Sequence, residues 1–460
     1  MLFNSYPFLF LYLPVVFVGF FWLAKHSHRL AALWLAAASV FFYGYWNPAF
    51  VKLLLESIVF NYTAGYQIGH TNAHKPVRAN LLLTGAVCAN LALLGYFKYA
   101  NFFLGSVGSY TGWAVPTLEI VLPLGISFFT FTQIAFLVDV RRGIAKEYNF
   151  IHYLLFVTYF PHLIAGPILH HKQMMPQFAQ ADTYRANAEN VAVGLLIFFI
   201  GLGKKVLLAD SFSEYATPVF GATKSGIEPG FVVAWTGAIA YTLQLYFDFS
   251  GYSDMAIGLS RMFGIHLPLN FNSPYKAKNM IEFWRRWHMT LSQFLRDYLY
   301  IPLGGNRCGV LRRHVNLMAT MLLGGLWHGA NWTFVVWGGL HGLYLVVNLA
   351  WLTGKARLGI AESESSLAGK IAGTSLTFVC VIVAWVFFRA ETFGSAMLML
   401  SGMANLREVT QLSEATTFDS IFSAIWFLLI VFPTSLGCSE LAWGSSGWRR
   451  TRRRSRTKFV

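Results

Sequence analysis

The chain has 460 residues, of which 56% are hydrophobic and 12% charged, and its mean hydropathy is +0.50. That balance excludes an ordinary soluble enzyme, in which about 25% of residues are charged, and points to an integral membrane protein. The formal net charge of +15 sits mainly in short loops between apolar runs. This placement sets membrane orientation and gives no reason to invoke nucleic acid.

Taken in order, Phe8 to Ala24 is a first span, retained because no basic leader or small-residue cleavage site accompanies it. Lys25, His26, His28 and Arg29 follow at once, which keeps that loop cytoplasmic and the N-terminus outside. Further apolar runs are Leu30 to Tyr45, Phe50 to Tyr62, Leu81 to Phe97, Thr117 to Val138, Tyr153 to Ile168, Val191 to Leu208 and Val232 to Phe247. Val315 to Trp327, Trp332 to Trp351, Ile371 to Phe388 and Ile421 to Phe432 complete the set. Several fall short of the about 20 residues a helical crossing needs, so those are re-entrant or buried by neighbours.

The tail Trp448 to Val460 carries seven Arg or Lys and no acid, which puts the C-terminus in the cytoplasm. Ends on opposite sides require an odd number of crossings, and roughly eleven are expected. The fold class is therefore an all-α polytopic bundle with re-entrant and interfacial helices. Residues 1–447 form one membrane-embedded domain and 448–460 a basic cytoplasmic tail, since no polar stretch between runs is long enough for a soluble core of its own.

Chemistry concentrates in Met321 to Gly342, MLLGGLWHGANWTFVVWGGLHG, where the ionisable His328 stands inside an apolar run. Such groups are expensive in hydrocarbon and usually face an internal cavity. The pairs Gly324/Gly325 and Gly338/Gly339 either bring helices close or leave room for a ligand. The bland reading of His328 is a core histidine bonded to a backbone carbonyl, and His341 reads as structural.

Upstream, Glu282 to Tyr300 places Trp284, Trp287, Leu291, Phe294, Leu295 and Tyr298 on one arc of roughly 100°. The spacing predicts one amphipathic helix at the cytoplasmic interface, with Arg285, Arg286 and Arg296 on its polar side and His288 on the border. If the next run enters near His314, the fourteen residues to His328 correspond to about 21 Å, which puts His288 at the mouth and His328 deep inside. Asp248, Ser250, Tyr252 and Asp254 in YFDFSGYSDMAIG either bind a substrate or satisfy a broken helix. His162 and the Gly166-Pro167 pair read as a helix interruption.

Other chemistries are excluded. Cys88, Cys308, Cys380 and Cys438 show no paired spacing, no HExxH occurs, and His70 with His74 lies in a polar loop, so no metal is expected. No nucleotide-binding GxxxxGK[ST] and no GxSxG elbow is present.

The stretches FWRRWHMTLSQFLRDYLYIPLGGNR, LLGGLWHGANWTFVVWG and YFDFSGYSDMAIGL resemble the membrane-bound O-acyltransferase family, with YFPHLIAGPILHHKQMMPQF and LGYFKYANF adding to the likeness. The match is closest to its bacterial polysaccharide O-acetyltransferase branch and runs from about Leu2 to Arg389. The resemblance implies a helical bundle with a central tunnel, His328 as the essential histidine of the WHG motif, and His288 as the upstream histidine of RRWH. It also implies acetyl-CoA from the cytoplasm as acyl donor with no bound cofactor, a bacterial cytoplasmic (inner) membrane location, and a separate periplasmic partner of the SGNH-hydrolase type. The final acceptor is then an extracytoplasmic polysaccharide, alginate first and cellulose or peptidoglycan next.

A thioester attacked by a hydroxyl needs a general base near neutral pH, and an imidazole with a pKa of about 6.5 suits that work. His328 is assigned as that base, with Asn331 or Trp332 steadying the site, His288 as a positioning group, and Trp327, Asn331 and Asp248 as further substrate or donor contacts. Arg285, Arg286 and Arg296 either hold the phosphates of coenzyme A or contact lipid headgroups. The reading from a different class is a transporter or flippase for a cell-envelope precursor, which also explains broken helices and an intramembrane histidine.

Overall fold

The computed structural model describes residues 1–145, 149–164, 166–359 and 366–405, and among them the regular structure is helical, without strands. Ile421 to Phe432 and the basic tail lie outside the described residues.

A π-helical turn, Phe8–Tyr12, leads into α1 (Leu13–Ala24), followed by α2 (His28–Gly44), α3 (Ala49–Asn72) and α4 (Pro76–Leu94). A second π-helical turn, Gly95–Tyr99, joins α4 to α5 (Ala100–Thr111). Between α3 and α4 the buried amides of Asn61 and Asn90 bond each other in both directions, at 3.0 and 2.7 Å. That reciprocal pair satisfies two polar groups without water and ties the helices together.

The expected run Thr117 to Val138 is only partly helical. Residues 112–125 are irregular and α6 spans Ile126–Arg141. Pro116 and Pro123 supply no backbone N–H, and Gly112 and Gly125 turn through positive φ, so a helix cannot begin earlier. Next come α7 (Phe150–Thr158), α8 (Phe160–Leu163) and α9 (His171–Phe178). Their side chains are largely buried, which makes Tyr153 to Ile168 an interior segment instead of a lipid-facing span.

α10 (Ala188–Gly203), the π-helical turn Lys204–Ala209 and α11 (Asp210–Lys224) form one long rod. The rod packs on α12 (Phe231–Met262), which runs unbroken through Asp248 and Asp254. α12 belongs to both major cores: Met255, Leu259 and Met262 join the one built by α1 to α9, and Ala238, Tyr241 and Phe247 join the one built with the later helices.

The predicted interfacial helix Glu282 to Tyr300 is broken. α13 (Met280–Trp284) and α14 (Met289–Leu295) flank His288, whose φ is +42°. Backbone groups that a continuous helix would use are instead exchanged with an upstream segment, Asn272 N–H to Arg286 O and Met289 N–H to Asn270 O, each 2.9 Å. His288 is 1% exposed and faces the interior, not the water–bundle border.

α15 (Val310–His328) and α16 (Trp332–Arg357) follow, then α17 (Leu367–Arg389) and α18 (Phe393–Ala404). Among the described residues four helices are long and apolar enough by themselves to cross a membrane: Pro76–Thr111, Ala188–Lys224, Trp332–Arg357 and Leu367–Arg389. The chain is a multi-pass membrane protein.

Of the two roles expected for the glycine pairs, close approach is the one found at Gly325 and Gly338. Their Cα atoms lie face to face where α15 crosses α16, and an added Cβ would run into Phe334 O at the first and Met321 O at the second. Both obstacles are backbone, so relief requires the helices to separate. Gly325→Ala and Gly338→Ala are each expected to cost about 1–3 kcal/mol of stability by overpacking. Thermal unfolding in detergent checks this, and wild-type melting of both variants would contradict the crossing.

Candidate active site

The site arises where two helices end inside the protein. α15 terminates at His328 because Gly329 leaves the helix with φ −161°. Its last carbonyls need donors in mainly apolar surroundings. The second π-helical turn supplies them: Tyr99 Oη donates to Leu326 O at 2.9 Å, and Lys98 Nζ donates to Trp327 O. A cation at a helix C-terminus is also placed where the backbone dipoles favour positive charge. Asn331 closes the turn between α15 and α16, accepting from Thr333 N–H at 3.1 Å and donating to Glu391 O at 2.7 Å.

His288 occupies the other interior helix end. Its Nδ1 lies 3.0 Å from Asn270 Oδ1, which also meets Thr290 N–H at 3.3 Å and Thr290 Oγ1 at 2.9 Å. A backbone N–H can only donate, so the shared atom is the amide oxygen and His288 carries its proton on Nδ1. Nε2 is then a lone pair, and among the described residues this buried atom has no hydrogen-bond partner. The left-handed backbone conformation is rare for a residue with a side chain, although histidine adopts it more readily than most. Here it aims the ring inward.

The two imidazoles share one cavity of about 260 Å³. Its walls are mainly apolar: Leu122, Pro123, Ile126 and Phe128 from the irregular segment and α6, Leu245 and Phe249 from α12, and Trp287, Trp327, Trp385 and Phe388. His328 is held edge-to-face by Trp327, Trp337 and Phe388, with ring centroids 4.8 to 5.1 Å apart. Among the described residues its ring makes no side-chain hydrogen bond, so the bland reading of a carbonyl-bonded core histidine does not describe it. His288 stands edge-on to Phe249 at 4.7 Å. The expected separation into a mouth histidine and a deep histidine is thus replaced by a single chamber with two imidazoles.

The structure brings His328, His288 and Trp327 together and leaves the other sequence candidates off the cavity wall. Arg286 pairs with Glu282 at 2.6 Å and Arg296 with Asp297 at 2.6 Å, while Arg285 is exposed. Asp248 is ion-paired to Lys205 at 2.8 Å, and Trp332 donates to Ser106 Oγ at 3.2 Å. His162 is a core residue whose Nε2 lies 3.1 Å from Phe156 O. His341 is fully buried among Phe283, Trp284, Trp337 and Trp385.

Two residues of the site escaped the sequence reading. Lys98 lines the cavity, and its Nζ is 2.9 Å from Ser127 Oγ. The rule that singles out His328, an ionisable group at an apolar run, would have found it. Asn270 carried no comparable signal, because its link to His288 spans 18 residues and depends on the break in the helix.

The chain is similar to known proteins over most of its length. The profile described as MBOAT, membrane-bound O-acyltransferase family, matches residues 80–364. The chain is 44% identical over 437 residues to the peptidoglycan O-acetyltransferase of Helicobacter pylori, an alignment covering 89% of this chain and 81% of that protein. It is 43% identical over 420 residues to the probable alginate O-acetylase of Pseudomonas aeruginosa, covering 90% and 76%. Against the probable alginate O-acetylase of Azotobacter vinelandii it is 42% identical over 416 residues, covering 89% and 79%.

Tyr99→Phe leaves Leu326 O without its donor in a partly buried setting. The expected cost is about 1–3 kcal/mol of stability, read as a lower unfolding temperature in detergent; an unchanged temperature would mean that this bond does not hold the end of α15.

Proposed function

The chain belongs to the membrane-bound O-acyltransferase family, and from that premise we propose that it takes acetyl from cytoplasmic acetyl-CoA and passes it across the membrane. The acceptor is an extracytoplasmic polysaccharide, an alginate-type exopolysaccharide first, with peptidoglycan and cellulose next. The chain is an O-acyltransferase, and transport of an envelope precursor without acyl transfer is set aside. The reading places it in the bacterial cytoplasmic membrane with its N-terminus outside, its C-terminus cytoplasmic, and a periplasmic SGNH-type acetyltransferase as partner.

The observation that carries the proposal is the pair of imidazoles on one mainly apolar cavity, His288 with an unpartnered Nε2. In the proposed step His328 takes the proton of an attacking hydroxyl as the new C–O bond forms at the thioester carbonyl, and returns it to the departing thiolate. His288, fixed with its proton on Nδ1, presents Nε2 only as an acceptor, which suits orienting the hydroxyl or the thiol hydrogen. Aromatic walls keep water from competing for the thioester. Arg285, Arg286 and Arg296 remain proposed contacts for the donor's phosphates outside the cavity, requiring Arg286 and Arg296 to exchange their carboxylate partners for phosphate.

His328→Ala is expected to lower acetyl transfer by about 10²- to 10⁴-fold while the protein still inserts and folds, measured as thioester consumption by purified protein with its partner and as acetyl esters on the polysaccharide. Retained esters would remove the catalytic assignment. Asn270→Ala releases His288 and is expected to reduce kcat about 10²-fold with a smaller change in KM. Asn270→Asp, which keeps the acceptor, restores most of that loss; equal effects of the two variants would mean that Asn270 serves only stability.

A further inference from the structure

Lys98 is the one cation among the residues lining the cavity, and no carboxylate stands among them. An ammonium has three N–H donors. Two are directed at Trp327 O and Ser127 Oγ, which accounts for its anchoring and leaves a third. The anchor is itself informative, because Trp327 O belongs to the last turn of the helix that carries His328. The same bond that ends α15 therefore fixes the ammonium relative to the imidazole. Lys98 also approaches the Trp327 ring, with Nζ 6.0 Å from its centroid.

Resting on the acyl-transfer reading above, we propose that Lys98 is a catalytic residue whose ammonium stabilises the oxyanion formed at the thioester carbonyl. As the hydroxyl oxygen bonds to the carbonyl carbon and gives its proton to His328, the carbonyl π pair moves onto oxygen. The resulting negative charge lies against the third N–H of Lys98. Collapse restores the C=O bond and breaks the C–S bond, and the thiolate takes the proton back from His328. Lys98 stays protonated throughout and is neither consumed nor acylated. Against mainly apolar walls, a fixed cation beside the developing charge is worth more than the same cation in solvent. Ser127 holds the ammonium in place by accepting one of its hydrogens.

The test compares Lys98→Met, Lys98→Gln and Lys98→Arg in the full-length protein with its partner, using acetyl-CoA as donor. Lys98→Gln keeps a donor for Trp327 O and removes the charge, whereas Lys98→Arg keeps the charge. Loss of about 10²- to 10³-fold in kcat is expected for Met and Gln, with donor KM changed by less than about threefold, a folded melting profile for Gln, and partial recovery in Arg. A near-wild-type kcat in Lys98→Gln would reduce Lys98 to a structural donor and overturn the proposal. So would an acyl ester on Ser127 in the intact mass of a quenched reaction, since that would make Lys98 the partner of a nucleophile. A wild type that consumes no acetyl thioester would overturn the functional reading itself, and with it the inference; an active wild type with an active Gln variant overturns the inference alone.

Discussion

Ending a helix where there is no water is the constraint on which the site depends. Each unsatisfied carbonyl or N–H in an apolar interior costs on the order of several kcal/mol, so an interior helix end exists only where other groups are committed to it. α15 ends on the hydroxyl of Tyr99 and the ammonium of Lys98. α14 begins on the carbonyl and amide oxygen of Asn270. These are also the two points at which His328 and His288 stand. The groups that make the ends tolerable are polar, fixed and adjacent to an imidazole, and stability and chemistry draw on the same few residues.

How much of this the sequence reveals follows from which rules are local. An ionisable residue inside an apolar run can be recognised from composition alone, and His328 was legible for that reason. The glycine pairs left close helix approach and room for a ligand both open, and it took the meeting of backbone with backbone at Gly325 and Gly338 to decide for the first. Periodicity, by contrast, assumes a continuous helix. It placed His288 on an exposed border because the arc from Trp284 to Tyr298 fits one amphipathic face, and nothing in the local pattern signals the left-handed turn that divides it. That turn is stabilised by Asn270, distant in sequence. The same dependence on long-range contacts hid the interior character of Tyr153 to Ile168, whose apolar residues suit a buried segment as well as a span. The error at Thr117 to Val138 was local: Pro116, Pro123 and Gly125 argued against an early helix start, and the apolar count outweighed them.

The distribution of charge separates frame from chamber. On the outer side of α12, Lys204 meets Asp254 and Lys205 meets Asp210 and Asp248, all within 2.8 Å. Arg286 and Arg296 likewise meet carboxylates. The Lys204–Asp254 and Lys205–Asp248 pairs neutralise charge where the rod meets α12. Lys98 differs in being anchored by a backbone carbonyl and a hydroxyl, acceptors that position an ammonium without cancelling it. A carboxylate in the same place would have neutralised the field available to a reacting group.

Cavity size then limits what has to enter. About 260 Å³ lies below the roughly 300–1,000 Å³ of pockets that enclose a drug-sized ligand, so on the proposed function the chamber would take the reacting ends of donor and acceptor and not the molecules behind them. An acetyl thioester at the tip of a long flexible arm fits that limit, as does a single hydroxyl presented from the opposite side. The bulk of a nucleotide or a polymer stays outside, where its binding has no need of the apolar interior. On the proposed function, the tryptophan and phenylalanine walls then border only the reacting atoms, beside the two imidazoles and the ammonium.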